Sequence, residues 1–135
     1  MIALDEFLDR LLRLAVDRGP RRFPRRRRDR QILMKSIPML LDSGRTYSER
    51  EINVLLRAWG RDVAPAISTD HVTLRRLLVD HGLLERSPNG AEYRVGFPPA
   101  GTVFELEVED VDVRATVAAY LEHERREADK RRRSR

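Results

Sequence analysis

One continuous stretch restricts the fold more than any other: TDHVTLRRLLVDHGLLERSPNGAEYRV, residues 69–95. Leu74, Leu77 and Leu78 repeat at helical spacing, so its first half presents one apolar helix face. Ser68, Thr69 or Asp70 can cap that helix, because each side-chain oxygen accepts from an orphan first-turn amide. Gly82 supplies the left-handed residue that stops it. Leu83 and Leu84 then lead into a strand. Asn89-Gly90 suits the tip of a two-stranded hairpin, since both residues tolerate positive φ. Ala91, Tyr93 and Val95 alternate onto one face of the second strand. Helix, glycine stop and hairpin, in that order, form the back half of a winged helix.

The preceding residues supply the front half. In SEREINVLLRAWG, Ser48 with Glu51 three residues on forms a capping box. Ile52, Leu55, Leu56 and Trp59 share one face of this helix, and Gly60 is placed to end it. Another helix is expected from about residue 26 to 41, with Leu33, Ile37, Leu40 and Leu41 inward. Pro38 should kink it or split off its last turn, because proline removes a backbone donor. A very short strand is expected at 45–47. The chain opens with a helix over 2–18, striped by Leu4, Phe7, Leu8, Leu11, Leu12 and Ala15 and ended by Gly19-Pro20. After GFPPAG, the segment TVFELEVED alternates from Val103 and is expected as a strand or strap. A last helix, capped by Asp110 or Asp112, runs to about Lys130 with Val113, Val117, Tyr120 and Leu121 on its apolar side. The expected fold class is mainly α with a small β-hairpin. A winged helix-turn-helix core at 20–96 is flanked by a helix at 1–19 and by a strap, helix and basic tail at 97–135.

Charge is distributed in blocks. Residues 21–30, RRFPRRRRDR, carry seven arginines and one aspartate, and residues 125–135 carry seven basic and two acidic side chains. Residues 31–100 are nearly balanced, while 101–124 hold one basic and seven acidic residues. Basic clusters outside the core favour a polyanion, nucleic acid being the commonest. They also serve solubility, or pair with the acidic segment. The chain has no cysteine, which removes disulfides, thiolate metal sites and a cysteine nucleophile. No apolar run approaches the roughly 20 residues of a membrane span. The acidic residues near the start are unlike a signal peptide. A soluble cytoplasmic protein is therefore expected.

Residues 20–95 also resemble a known family. RRFPRRRRDRQILMKSIPMLLDSGRTYSEREINVLLRAW, followed by DHVTLRRLLVDHGLLERSPNGAEYRV, is similar to the bacterial domain of unknown function 2087. FP before a basic run, YSEREIN, TLRRLLVDHGLLER and G-x-x-Y-R carry the resemblance. It implies a winged-helix fold and a loose association with transcriptional regulation. It brings no catalytic residues.

Candidate binding residues follow from the winged-helix expectation. The second helix of a helix-turn-helix pair offers its early residues to the major groove. Here these are Thr69, His71, Thr73 and Arg76, with Arg75 partly outward. Arg76 suits a bidentate contact to guanine. Thr69 and Thr73 suit phosphate or a thymine methyl. Asp70 opposes phosphate unless it caps the helix. Arg75 and Arg76 also suit structural pairing with Asp62, Asp80 or Glu51. Arg86 and Arg94 on the hairpin suit phosphate contacts or plain solvent exposure. The basic arm Arg21, Arg22, Arg25, Arg26, Arg27, Arg28 and Arg30 is the strongest feature, able to enter a minor groove or to grip RNA. Phe23 suits a buried anchor or a base-stacking ring.

Double-stranded DNA is the expected partner. A protein-docking adaptor on polymerase or ribosome, or RNA binding, is the alternative. No enzyme, metal site or cofactor is expected. His71, His81 and His123 lack a ligand spacing, and there is no phosphate loop or nucleophile elbow. The terminal helices could build a homodimer or simply cover one core.

Overall fold

A computed structural model describes residues 1–97 and 104–135. The chain is mainly helical with one small antiparallel sheet. Five α-helices are described: α1 Leu4–Ala15, α2 Arg27–Ser36, α3 Glu49–Asp62, α4 His71–Asp80 and α5 Val113–Arg133. Three short strands, β1 Tyr47–Ser48, β2 Leu84–Arg86 and β3 Glu92–Val95, pair in the order β1-β3-β2. Tyr47 sits opposite Tyr93, and Leu84 opposite Val95. This register turns Tyr47, Leu84 and Tyr93 into the core together.

Local chemistry explains most element ends. Ser48 accepts from the Glu51 amide at 3.1 Å, and the Glu51 carboxylate accepts from the Ser48 amide at 3.0 Å. The expected capping box of α3 is present. Asp70 caps α4. Gly82, at φ 77°, follows α4, and the Leu83 amide reaches back to the Leu78 carbonyl. A left-handed stop of this kind favours glycine. Pro38 does split off the last turn of α2, which continues as a 3₁₀ turn at Pro38–Leu40.

Four expectations need correction. α1 ends at Ala15, ahead of Gly19-Pro20, which therefore does not stop it. Gly60 does not end α3, which continues to Asp62. Val63 and Ala64 are buried, and their amides both reach the Trp59 carbonyl, so the helix end follows the core. The acidic segment after Phe104 is no strand. It forms a 3₁₀ turn at Leu106–Asp110 that buries Val108 and leaves Leu106 84% exposed. The short strand lies at Tyr47–Ser48, slightly later than expected. Val103, the expected strand start, lies outside the described residues, as does most of GFPPAG.

Among the described residues, one core joins elements from α1 to α5. Phe7 and Leu11 of α1, Ile32 and Leu33 of α2, Ile52, Leu56 and Trp59 of α3, and Leu74 and Leu78 of α4 belong to it. Val113 and Val117 of α5 join the same cluster. Much of the apolar stripes on which the expected dimer rests thus packs within the protomer, while Leu121 of α5 stays 43% exposed. Tyr120 ties α5 to the end of α1 by donating to both Asp17 oxygens, at 2.7 and 2.9 Å. That hydrogen bond, helped by desolvation, pushes the phenol up to about 12. Beyond Leu121, α5 is held by ion pairs along its own length, such as Arg125 with Glu122 and Asp129. Among the described residues, no helix is long and apolar enough to cross a membrane.

Candidate nucleic-acid interface

The basic segment is extended over residues 21–26 and becomes α2 at Arg27. It is no free arm. The Arg21 amide donates to the Ala66 carbonyl, and the Ser68 amide donates to the Arg21 carbonyl, both at 2.8 Å. This short parallel bridge fastens the segment to the residues entering α4. The Phe23 amide then donates to the Thr69 hydroxyl at 3.0 Å. Phe23 is half-buried, its ring centroid 6.5 Å from that of Trp59. The ring is an anchor, which removes it from base stacking.

The structure separates candidates that look alike in sequence. Arg21 is half-buried and its guanidinium donates to the Asp17 carbonyl. Arg28 holds both carboxylate oxygens of Glu6 on α1. That hydrogen bond raises Arg28 and lowers Glu6 from their ordinary values. Arg75 is only 15% exposed, with Glu49 at 2.9 Å and Asn53 also accepting from it. It locks α4 to α3, through partners other than the expected Asp62, Asp80 or Glu51. Glu49 and Asn53 are four residues apart, on one face of α3, which is the signal that could have found them. Arg94 pairs across the hairpin with Glu85 at 2.7 Å.

The early residues of α4 are likewise occupied. Thr69 serves Phe23. Thr73 donates from both its amide and its hydroxyl to Asp70, at 2.9 Å each. These bonds, the backbone one first, hold the Asp70 carboxyl below its ordinary value. His71 is half-buried. A depressed acid contributes stability that is present above its unfolded value of about 3.9 and is lost as pH falls through the folded value. Asn also caps helices but does not titrate. Urea unfolding from pH 6 to pH 2.5 should therefore show a wild-type advantage over Asp70→Asn that is constant above about pH 5 and shrinks below about pH 4. A difference that does not change with pH would contradict the role given to Asp70.

What remains is a set of exposed or half-buried arginines without an ion-pair partner among the described residues: Arg22, Arg25, Arg26, Arg27, Arg30, Arg76 and Arg86. Two recesses gather five of them. Arg25, Arg27 and Arg30 border a broad recess that reaches the end of α4. Arg76 and Arg86 border a smaller one between α4 and the hairpin. Val79 and Asp80 line both, so the recesses adjoin. The Arg86 guanidinium lies over the hairpin tip, where a Cβ on Gly90 would come within 2.3 Å of it. Gly90, at φ 73°, is thus required by both backbone and contact.

No curated protein and no solved structure matches the chain. A family model described as an uncharacterized protein conserved in bacteria matches residues 21–95, a span from the bridged Arg21 to the last residue of β3. That span is more than half of the chain, and the protein belongs to this bacterial family, DUF2087.

Proposed function

We propose that residues 21–95 act as a winged-helix nucleic-acid-binding module, with double-stranded DNA as the target and transcriptional regulation as the role. The observation that carries the proposal is the convergence of unpaired arginines from three elements on adjoining recesses along α4. Arginine without an internal partner is free to meet phosphate, and such contacts supply most non-specific affinity. The order α2, β1, α3, α4, β2, β3 is that of a winged helix. In this arrangement α4 approaches the major groove, and the hairpin with Arg86 is the wing.

The contacting part of α4 is shifted from the early residues toward Arg76. Asp70 stands exposed at the N-terminus and repels phosphate, while Thr69 and Thr73 are held by internal bonds. Arg76 is the exposed cation of this helix, suited to a guanine edge.

Fluorescence anisotropy against a 20-base-pair duplex of random sequence, over a salt series, tests the proposal. Phosphate contacts from the six unpaired arginines other than Arg76 predict a log–log slope of about −5 to −6. Parallel titrations with single-stranded DNA and a structured RNA separate the targets. Tighter binding of the RNA would move the function to RNA. Weak, salt-insensitive binding of every probe would overturn the proposal in favour of protein docking.

A further inference from the structure

The larger recess, of about 1190 Å³, lies between α2 with its 3₁₀ turn and the root of the hairpin. Its lining is two-sided in chemistry. Met34, Met39, Leu83 and Phe97 bring apolar surface, and Phe97 is 85% exposed. Arg25, Arg27 and Arg30 bring positive charge. Two carboxylates also face it: Glu109, which Lys35 neutralises at 2.5 Å, and the exposed Asp80. The balance stays positive.

Arg30 supplies the decisive detail. Its Nε is shielded from water and lacks a hydrogen-bond partner, the one buried side-chain polar atom so left among the described residues. Buried donors are almost always satisfied, and an exception points to an absent acceptor. Arg30 also borders the recess without an ion-pair partner among the described residues, so an anionic oxygen there would meet its guanidinium through a charge-assisted bond. Pockets that combine an apolar lining with a few placed polar groups are the usual form of small-molecule sites.

We propose that this recess binds an amphipathic organic anion, its charged head on Arg30 and its apolar body against Met34, Met39 and Phe97. A medium-chain carboxylate is the simplest such ligand. The nucleic-acid proposal draws on arginines of the same recess, but the test is separate, because occupancy is measured with no nucleic acid present.

Decanoate, below its micelle concentration, is the probe, with decanol and acetate as controls for each half. The chain has three methionines, Met1, Met34 and Met39, so methyl-labelled methionine gives three signals. Decanoate should saturate, moving the Met34 and Met39 methyls while the exposed Met1 stays in place. Decanol and acetate should each bind at least tenfold more weakly. Octanoate should lose roughly tenfold, from two fewer buried methylenes. Arg30→Gln should weaken decanoate at least tenfold, and Arg57→Ala on the outer face of α3 should not. If Arg30→Gln fails to fold, the wild-type methyl shifts and the decanol comparison decide. Equal affinity for decanol, equal movement of Met1, or an unaffected folded Arg30→Gln would overturn the proposal. So would loss of duplex binding in Arg30→Gln with no decanoate shift in the wild type, which would reserve the recess for nucleic acid.

Discussion

Trp59→Ala is expected to lower stability by about 4 kcal/mol, roughly a thousandfold in the folding equilibrium. Trp59 is fully buried, the largest such side chain in the core. Its removal leaves a void that neighbouring helices can close only in part, so lost transfer energy and a cavity both count. The indole also binds two other elements. Its Nε1 donates at 2.9 Å to the Ser36 hydroxyl, which in turn donates at 2.6 Å to the Leu33 carbonyl. Ser36 is fully buried, so its oxygen has no water to replace the indole. Phe23 also lies near the ring, tilted by 38° to it. Trp59→Phe keeps most of the apolar contact but loses the donor, and should cost about 1–2 kcal/mol. Urea unfolding of the three proteins, fitted as two-state transitions, measures both differences. A Trp59→Phe loss as large as that of Trp59→Ala would place the energy in the hydrogen bond and contradict the packing account. Because Phe23 anchors the arginine segment, Trp59→Ala should also loosen residues 21–26 before the rest of the fold, visible as faster amide exchange at Phe23.

Features closed within a few residues were legible in the sequence. Ser48 and Glu51 form their box across three residues, and Asp70 reaches the amide of Thr73 over the same distance. Pro38 acts through its own missing donor. The helix–glycine–hairpin order at 69–95 was legible for the same reason. Failures arise where distant residues decide. Gly60 stays helical because Val63 and Ala64 have core positions to fill. The acidic residues after Phe104 turn because Val108 is buried. The candidate site shows the limit most sharply. Arg25 and Arg28 are indistinguishable by composition, yet Arg28 meets Glu6 across 22 residues of chain and Arg25 meets no carboxylate. Which arginine is paired depends on which helices cross, and one-dimensional spacing does not record that.

Replacing Arg22, Arg25, Arg26 and Arg27 together by alanine is expected to weaken duplex binding roughly 10²–10³-fold near physiological salt, alike for every sequence. Each phosphate contact contributes about 0.9 to the salt slope, so the slope should fall by up to about 3.6. The fold should survive, because these side chains are exposed and make no ion pair among the described residues. Circular dichroism and urea unfolding check that. Arg28→Ala is the telling comparison. It removes the same charge one residue further on, but from a guanidinium already held by Glu6. It should leave the salt slope within about 0.3 of wild type, with its effect falling on the contact between α1 and α2. Arg76→Ala should differ from both, narrowing the preference at one base pair by about 1–3 kcal/mol. Equal slopes for Arg25→Ala and Arg28→Ala would mean that net charge, rather than the freedom of particular arginines, drives binding. The division of the basic segment into structural and phosphate-facing residues would then fail, and with it the interface drawn along α4.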